Sequence, residues 1–286
     1  MRARLAESLV FLEDKPEETA DSTARALWLK AADLPVSALR AASMDLPVLT
    51  APQVAELLRL IERRMAGVPL AHLTLRQNFL GLEMLAGAGA LVPRRETELL
   101  ARTALALVAG SSDLGEIVDV CTGSGNVALA LAHHLSDARV HAADLSSEAV
   151  ALARQNAAHL GLEGRVTFHC GDLLGPFETP EFLGRVSLLT CNPPYINSAK
   201  VERMPAEISA HEPRLAFDGG ALGIGILMRL TKDAPRFLCA GGWLAFEVGL
   251  GQGPALVKRL QSNPAYRDVR PATDESGAIR VVTAQC

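Results

Sequence analysis

From Glu116 onward, short apolar runs alternate with longer runs of helical period, and this alternation constrains the fold more than any other feature of the chain. EIVDV (116–120), RVHAAD (139–144), RVTFHC (165–170), RVSLLTC (185–191) and GGWLAFEV (241–248) have the length and composition of strands. NVALALAHHL (126–135), SSEAVALARQNAAHL (146–160) and ALGIGILMRLTKDAPRFL (221–238) have helical period, and YRDVR and AIRVVTA close the pattern. Such alternation predicts an α/β fold with a mostly parallel, doubly wound sheet, because parallel neighbours need a crossover between them.

Residues 1–66 are different: Ala/Leu-rich and helical in period. TAPQVAELLRLIERRMAG (50–67) carries a capping-box pair, Thr50 and Gln53, with Pro52 in the first turn. Val54, Leu57, Leu58, Ile61 and Met65 are expected to form its apolar stripe, with Arg59, Arg63 and Arg64 on a solvated face. The expected organisation is a small helical N-terminal domain for substrate recognition (1–66), a connector (67–98) and a catalytic domain (99–286).

The chain of 286 residues is 49% hydrophobic and 21% charged, so it has the makings of a packed core. A net charge of −4 argues against a duplex-DNA binder, which needs a basic face. Five cysteines, an odd number with no C-x-x-C, read as buried thiols rather than disulfides or a zinc site, and no metal is expected. No run approaches ~18 apolar residues, and the N-terminus reads as a short helix rather than a leader. The expectation is a soluble cytoplasmic protein.

Two motifs carry chemistry. Between the first strand and its helix, Cys121, Thr122, Gly123, Ser124 and Gly125 form a glycine loop at the carboxyl edge of the sheet, where ligands of doubly wound folds bind. Asp144 ends the second strand, suited to gripping two ribose hydroxyls, and Asp172 follows the third, within reach of an adenine ring. G-S-G-N-V-A also fits the dinucleotide pattern, so the loop leaves NAD and S-adenosylmethionine open.

The second motif is Asn192-Pro193-Pro194-Tyr195 at the tip of the fourth strand. Each proline forces the residue before it to be extended and donates no N–H. The Asn192 side-chain oxygen and the Pro193 carbonyl can then accept both hydrogens of one –NH2, with the Tyr195 ring packed against the planar group. Held so, a weak nitrogen nucleophile is aimed at an activated methyl, and orientation is the main catalytic effect. Glu247 ends the fifth strand near the same edge and is a weaker candidate for substrate contact. His133 and His134 read as an exposed pair. His211 and Glu212 read equally as an acid/base pair or a structural one.

These residues, with G67-V-P-L-A-H-L, N78-F-L-G-L, L91-V-P-R-R-E-T-E-L-L, D119-V-C-T-G-S-G and H211-E-P-R-L-A-F-D-G-G, resemble the HemK-like protein-glutamine methyltransferases. The resemblance runs from about Gly67 to the C-terminus. It implies a seven-stranded S-adenosylmethionine-dependent methyltransferase sheet with one antiparallel strand. It also implies methylation of a glutamine amide in a protein with an exposed Gln loop, either a release factor (a Gly-Gly-Gln loop) or a ribosomal protein. D-V-C-T-G-S-G and H-E-P lean toward the ribosomal-protein branch. By the same resemblance Cys121 to Gly125, Asp144, Asp172, Leu173 and Asn192 meet the cofactor. Asn192, Pro193, Pro194 and Tyr195 meet the glutamine, and Arg94 and Glu98 line the site edge. S-adenosylhomocysteine is the implied product. The chain departs from the family at Arg95, usually proline, and at Leu222-Gly223-Ile224, usually D-G-L. Small-molecule N-methylation, nucleic-acid amino-methylation and NAD binding are the alternatives; stable DNA or membrane binding is not expected.

Overall fold

The computed structural model describes residues 5–7, 15–111, 114–204 and 206–286. Helices α1 (Ala20–Ala31), α2 (Ala38–Ala41), α3 (Ala51–Met65) and α4 (Leu70–Thr74) pack around Leu27, Leu29, Leu57, Leu60, Ile61, Leu70 and Leu73. Helix α3 opens at Thr50, whose N–H donates to Gln53 Oε1 at 3.0 Å. Its buried face is Leu57, Leu60, Ile61 and Arg64, while Val54 and Leu58 are exposed. The expected stripe is therefore rotated, and Arg64 leaves the solvated face for the interior, where it lies 3.5 Å from Glu18. A guanidinium is tolerated there because a carboxylate and the Val68 carbonyl, at 3.2 Å, meet it.

Beyond α4, the connector holds a two-stranded antiparallel hairpin, β1 (Arg76–Phe79) and β2 (Leu82–Leu85), and then α5 (Arg95–Val108). Four-residue strands without a β-branched residue give no sequence signal, so the hairpin went unpredicted. Asn156, fully buried, receives the Leu85 N–H at 2.6 Å and donates to Leu85 O and Ser124 O at 3.2 and 3.0 Å. One side chain thus ties the hairpin to the glycine loop.

The main sheet contains β3 (Glu116–Val120), β4 (Arg139–Asp144), β5 (Val166–Cys170), β6 (Val186–Cys191), β7 (Leu238–Glu247), β8 (Arg267–Thr273) and β9 (Ile279–Gln285), in the order β5-β4-β3-β6-β7-β9-β8. Strands β3 to β7 run parallel, and β9 runs antiparallel to both neighbours. Helices α6 (Asn126–His134) and α7 (Ser147–Leu160) join α5 on one face; α10 (Gly225–Asp233) and α11 (Gly253–Gln261) cover the other, after the short turns α8 (Ser198–Val201) and α9 (Ala206–Ser209). Side chains alternate accordingly: Ile117 and Leu188 enter the first core, Val118 and Leu189 the second. The run expected to be helical over 221–238 is α10 followed by a single 3-10 turn, Ala234–Arg236, at Pro235. The doubly wound sheet expected from the alternation, with the seven strands and single antiparallel strand that the resemblance implies, is the fold found.

All five cysteines are free, and only Cys191 is fully buried; Cys170 is exposed. The expectation of buried thiols therefore holds for one. Among the described residues, no cluster of acids, His and Cys has the makings of a metal site, and no helix is long and apolar enough to cross a membrane.

Candidate active site at the carboxyl edge of the sheet

The strand order reverses between β3 and β6, and ligands of doubly wound folds sit at the carboxyl ends of such a switch point. The glycine loop leaves β3 there, and Asn192 leaves β6 there, because Val120 and Cys191 are paired in the ladder. A cleft with about 1030 Å³ of empty space, its mouth included, opens above them.

The loop's conformation follows from a few local demands. Cys121 and Gly123 both have φ of +56°, and Gly125 has +83°. A Cβ on Gly125 would lie 3.1 Å from Ala153 and 3.2 Å from Leu129, so glycine lets the loop seat on its helices. Asp119 supplies the anchor beneath: it is buried and accepts the Thr122 and Thr190 hydroxyls at 2.6 and 2.7 Å. Burial pushes its carboxyl up to about 6 despite those two hydroxyls. An acid inside the apolar run EIVDV is the signal that points to such a paired group, and sequence reasoning passed over it.

Asp144 accepts the Gly123 N–H on one oxygen at 2.8 Å and the Ser146 N–H on the other at 2.9 Å. Burial raises its pKa, and these amides oppose the rise. Cys121, Thr122, Gly123, Ser124, Asp144, Asp172, Leu173 and Asn192 all line the cleft; Gly125 stands behind it as the helix cap. Asp172 also pairs with the exposed Arg229 at 2.6 Å.

A second cavity adjoins the first. Asn192, Pro193, Tyr195, Glu96, Thr97 and Glu247 are among its lining residues, and Asn192, Thr97, Arg94, Leu91 and Ala216 belong to both cavities. Pro193 faces the second cavity and Pro194 the first. Asn192 Nδ2 donates to Thr97 Oγ1 at 2.9 Å. The Thr97 hydroxyl oxygen therefore receives Asn192, and the same hydroxyl helps to lower the pKa of the adjacent Glu247 carboxyl. With Nδ2 so engaged, Oδ1 is the atom presented to the cavities.

Tyr195 is set from below. Its hydroxyl donates to Glu247 Oε1 at 2.9 Å, and Arg280 lies 3.4 Å from the same hydroxyl and 2.7 Å from Glu96. Burial, and next the Glu247 charge, push the phenol well above its usual range. Its backbone carbonyl accepts the Gln252 amide at 3.0 Å. Arg94 reaches Glu212 at 2.6 Å, and Glu212 also takes the Val92 N–H at 3.0 Å, so the segment leading to Pro213, Leu215 and Ala216 is tied across the cavities. Glu212 is thus structural, and His133 and His134 are exposed, their rings 5.0 Å apart. Glu98, unlike Glu96, lines neither cavity: it accepts the Leu80 N–H at 2.9 Å and pairs with Arg102 at 3.1 Å, bracing the hairpin turn on α5. Thr97 lies in the L-V-P-R-R-E-T-E-L-L segment without a role read for it, and Arg280 carries no sequence signal; only the fold brings them to Asn192 and Tyr195.

The family model of the PrmC N-terminal domain matches residues 5–74, and that of a methyltransferase domain matches residues 117–211. Over 224 residues the chain is 39% identical to a release factor glutamine methyltransferase of Moorella thermoacetica, covering 78% of this chain and 77% of the relative. The chain belongs to the release factor glutamine methyltransferase family. A second member, from Bradyrhizobium diazoefficiens, is 34% identical over 274 residues, 94% of this chain and 89% of its own. Both relatives are named for release factors, against the lean toward the ribosomal-protein branch drawn from D-V-C-T-G-S-G and H-E-P. The hMettl16 catalytic domain, solved with the MAT2A 3′UTR hairpin 6, shares the fold at 16% identity and a TM-score of 0.56, covering 77% of this chain and 81% of its own. Family membership bears out the HemK-like resemblance and extends it to residue 5, where the motifs had reached only Gly67. The methyltransferase match spans the G-x-G-x-x-A loop and removes the NAD reading.

Proposed function

We propose that the protein methylates the side-chain amide nitrogen of a glutamine in a peptide-chain release factor, using S-adenosylmethionine. One observation carries the reading: Asn192 stands on the wall common to both cavities with Nδ2 tied to Thr97, leaving Oδ1 to accept.

The first cleft suits the cofactor. A carboxylate has about four acceptor positions, so Asp144, with two amides bound, retains two for ribose hydroxyls. Ser124 Oγ is buried, lines the cleft and has no hydrogen-bond partner, which fits a polar ligand atom there. Leu173 offers an apolar surface beside Asp172 for a base. When bound, S-adenosylmethionine supplies a methyl group on a sulfonium and leaves as S-adenosylhomocysteine.

The second cavity receives the glutamine. Asn192 Oδ1 and the Pro193 carbonyl, neither engaged in a hydrogen bond among the described residues, take the two amide hydrogens. Tyr195, locked through Glu247 and Gln252, walls the planar group. Arg94 holds the roof through Glu212 rather than touching the acceptor. The N-terminal helical domain, with Leu39 of α2 and the loop residues Leu34 and Val48 exposed, recognises the body of the release factor. Its substrate class puts the enzyme in the cytoplasm, with no need of membrane or stable DNA contacts. No observation favours a small-molecule or nucleic-acid acceptor.

Labelled S-adenosylmethionine with purified release factors should place label on the glutamine of a Gly-Gly-Gln loop; label only on a ribosomal protein or a small molecule would refute the assignment. Asn192→Ala should abolish transfer while cofactor affinity, measured by calorimetry, falls far less. Equal loss of both would give Asn192 a different job.

A further inference from the structure

Methylating an amide releases a proton, and the second cavity holds a group placed to take it. Glu247 ends β7, is 1% exposed, and lines the cavity together with Asn192 and Pro193. Its two oxygens differ. Oε1 accepts the Tyr195 hydroxyl, whereas Oε2 is buried without a hydrogen-bond partner. The Thr97 hydroxyl helps to lower the carboxyl's pKa, but among the described residues it makes no hydrogen bond that occupies Oε2. A buried carboxylate oxygen left open is costly unless something fills the site.

The neighbouring acid differs in this respect. Glu96 lines the same cavity but is 39% exposed on its side chain and engaged by Arg280 at 2.7 Å. Arg280 lies 4.0 Å from Glu247, near enough to favour its charge without occupying Oε2. The groups facing Glu247 are therefore Glu96 and Thr97 of α5, Tyr195 of the loop after β6, and Arg280 of β9.

We propose that Glu247 is a catalytic residue for the proposed glutamine methylation, its Oε2 accepting the proton that the amide nitrogen loses as the methyl group arrives. In that step the N–C bond forms and the C–S bond breaks. One N–H bond breaks: as the nitrogen turns tetrahedral, that hydrogen swings out of its bond to Asn192 Oδ1 or the Pro193 carbonyl, and its proton passes to Glu247 in the same cavity. The sulfonium and carboxylate charges are extinguished together, leaving a thioether, a carboxylic acid and a neutral N-methyl amide. Removing the proton during attack spares a buried site from holding a protonated amide. Burial, which raises the Glu247 pKa to about 7, suits it to this exchange: charged often enough to accept, basic enough to be a useful acceptor. The assignment rests on the glutamine reading of the site.

The test is the pH dependence of the single-turnover rate on a release factor. In the wild type the rate should climb about tenfold per pH unit up to about 7 and level above it. Glu247→Gln keeps an acceptor for Tyr195; it should lower the plateau by about 10²–10⁴-fold and lose the climb. Binding of S-adenosylhomocysteine, by calorimetry, should stay within about threefold. Tyr195→Phe keeps the carboxyl but removes a bond that holds its pKa down, so the midpoint should move to higher pH. A readout without turnover accompanies these: infrared titration of the ligand-free protein should show two protonated carboxyls lost, Asp119 at about pH 6 and Glu247 at about 7, and Glu247→Gln should lack the one at about 7. A retained climb in Glu247→Gln, or an unmoved midpoint in Tyr195→Phe, overturns the proposal. Failure of the glutamine reading looks different, because no release-factor glutamine would then be labelled by the wild type at any pH.

Discussion

Asn192 owes its orientation to a hydroxyl 95 residues away in sequence. A side-chain amide on a loop flips easily, and a flipped Asn192 would present two hydrogens to a substrate that brings two of its own. Thr97→Val removes the hydroxyl but keeps the shape. It should lower kcat about 10²-fold, as expected for a misplaced positioning group, with little change in cofactor affinity. Thr97→Ser should restore most of the rate. Equal activity in the valine variant would show that Asn192 holds its pose unaided. The acceptor motif itself was legible, since the two prolines and the preceding Asn dictate local geometry whatever surrounds them. The pairing of Thr97 with Asn192 was not legible: the threonine lies in a quoted motif, but nothing local says which side chain 95 residues on it meets.

Among the elements, the loop after β6 keeps the glycine of the family's D-G-L while Leu222 and Ile224 flanking it differ. Gly223, in the stretch Leu222-Gly223-Ile224, has φ of +68°, and a Cβ there would come 2.3 Å from the Tyr195 carbonyl. The same carbonyl is held by Gln252, which also bonds Gly223 O at 3.2 Å. Gly223→Ala should therefore destabilise the protein by about 1–3 kcal/mol and loosen Tyr195. Urea denaturation would measure the first effect and a weakened acceptor KM the second; a fully stable, fully active variant would mean the loop carries no such constraint. The departure at Arg95 is milder. Arg95 is the first residue of α5, exposed and 3.7 Å from Glu275, at the helical position where proline is favoured because the N–H there has no intrahelical partner. Strong elements such as β4 and α7 matched their expected runs almost to the residue. Helix α11 escaped notice because its entry, GQGPALV, opens on glycines and a proline that resemble a loop.

For the whole molecule, two buried acids of the site weigh on stability with pH. Glu247 is raised from 4.5 to about 7 and Asp119 from 3.8 to about 6, burial being the first cause of each. The folded state therefore holds protons that the unfolded chain has released, and stability falls as pH rises from about 4 to about 7. For Glu247 the difference amounts to about 3 kcal/mol across that window. Urea denaturation at pH 5 and pH 8 should show a loss in the wild type that Glu247→Gln reduces by up to that amount. An unchanged difference would mean that Glu247 does not titrate in this range.

The sequence by itself determined the layer architecture, the glycine loop, the ribose-side acid and the diproline corner. Each of these depends on periodicity or on backbone restrictions that act within a few residues. Tertiary structure alone decided which side chains meet at the corner: Thr97 from α5, Glu247 from β7, Arg280 from β9 and Glu212 from the roof. Their convergence depends on strand order and on the crossovers between strands. No local spacing encodes those distances, because they are set by which hydrophobic faces bury one another.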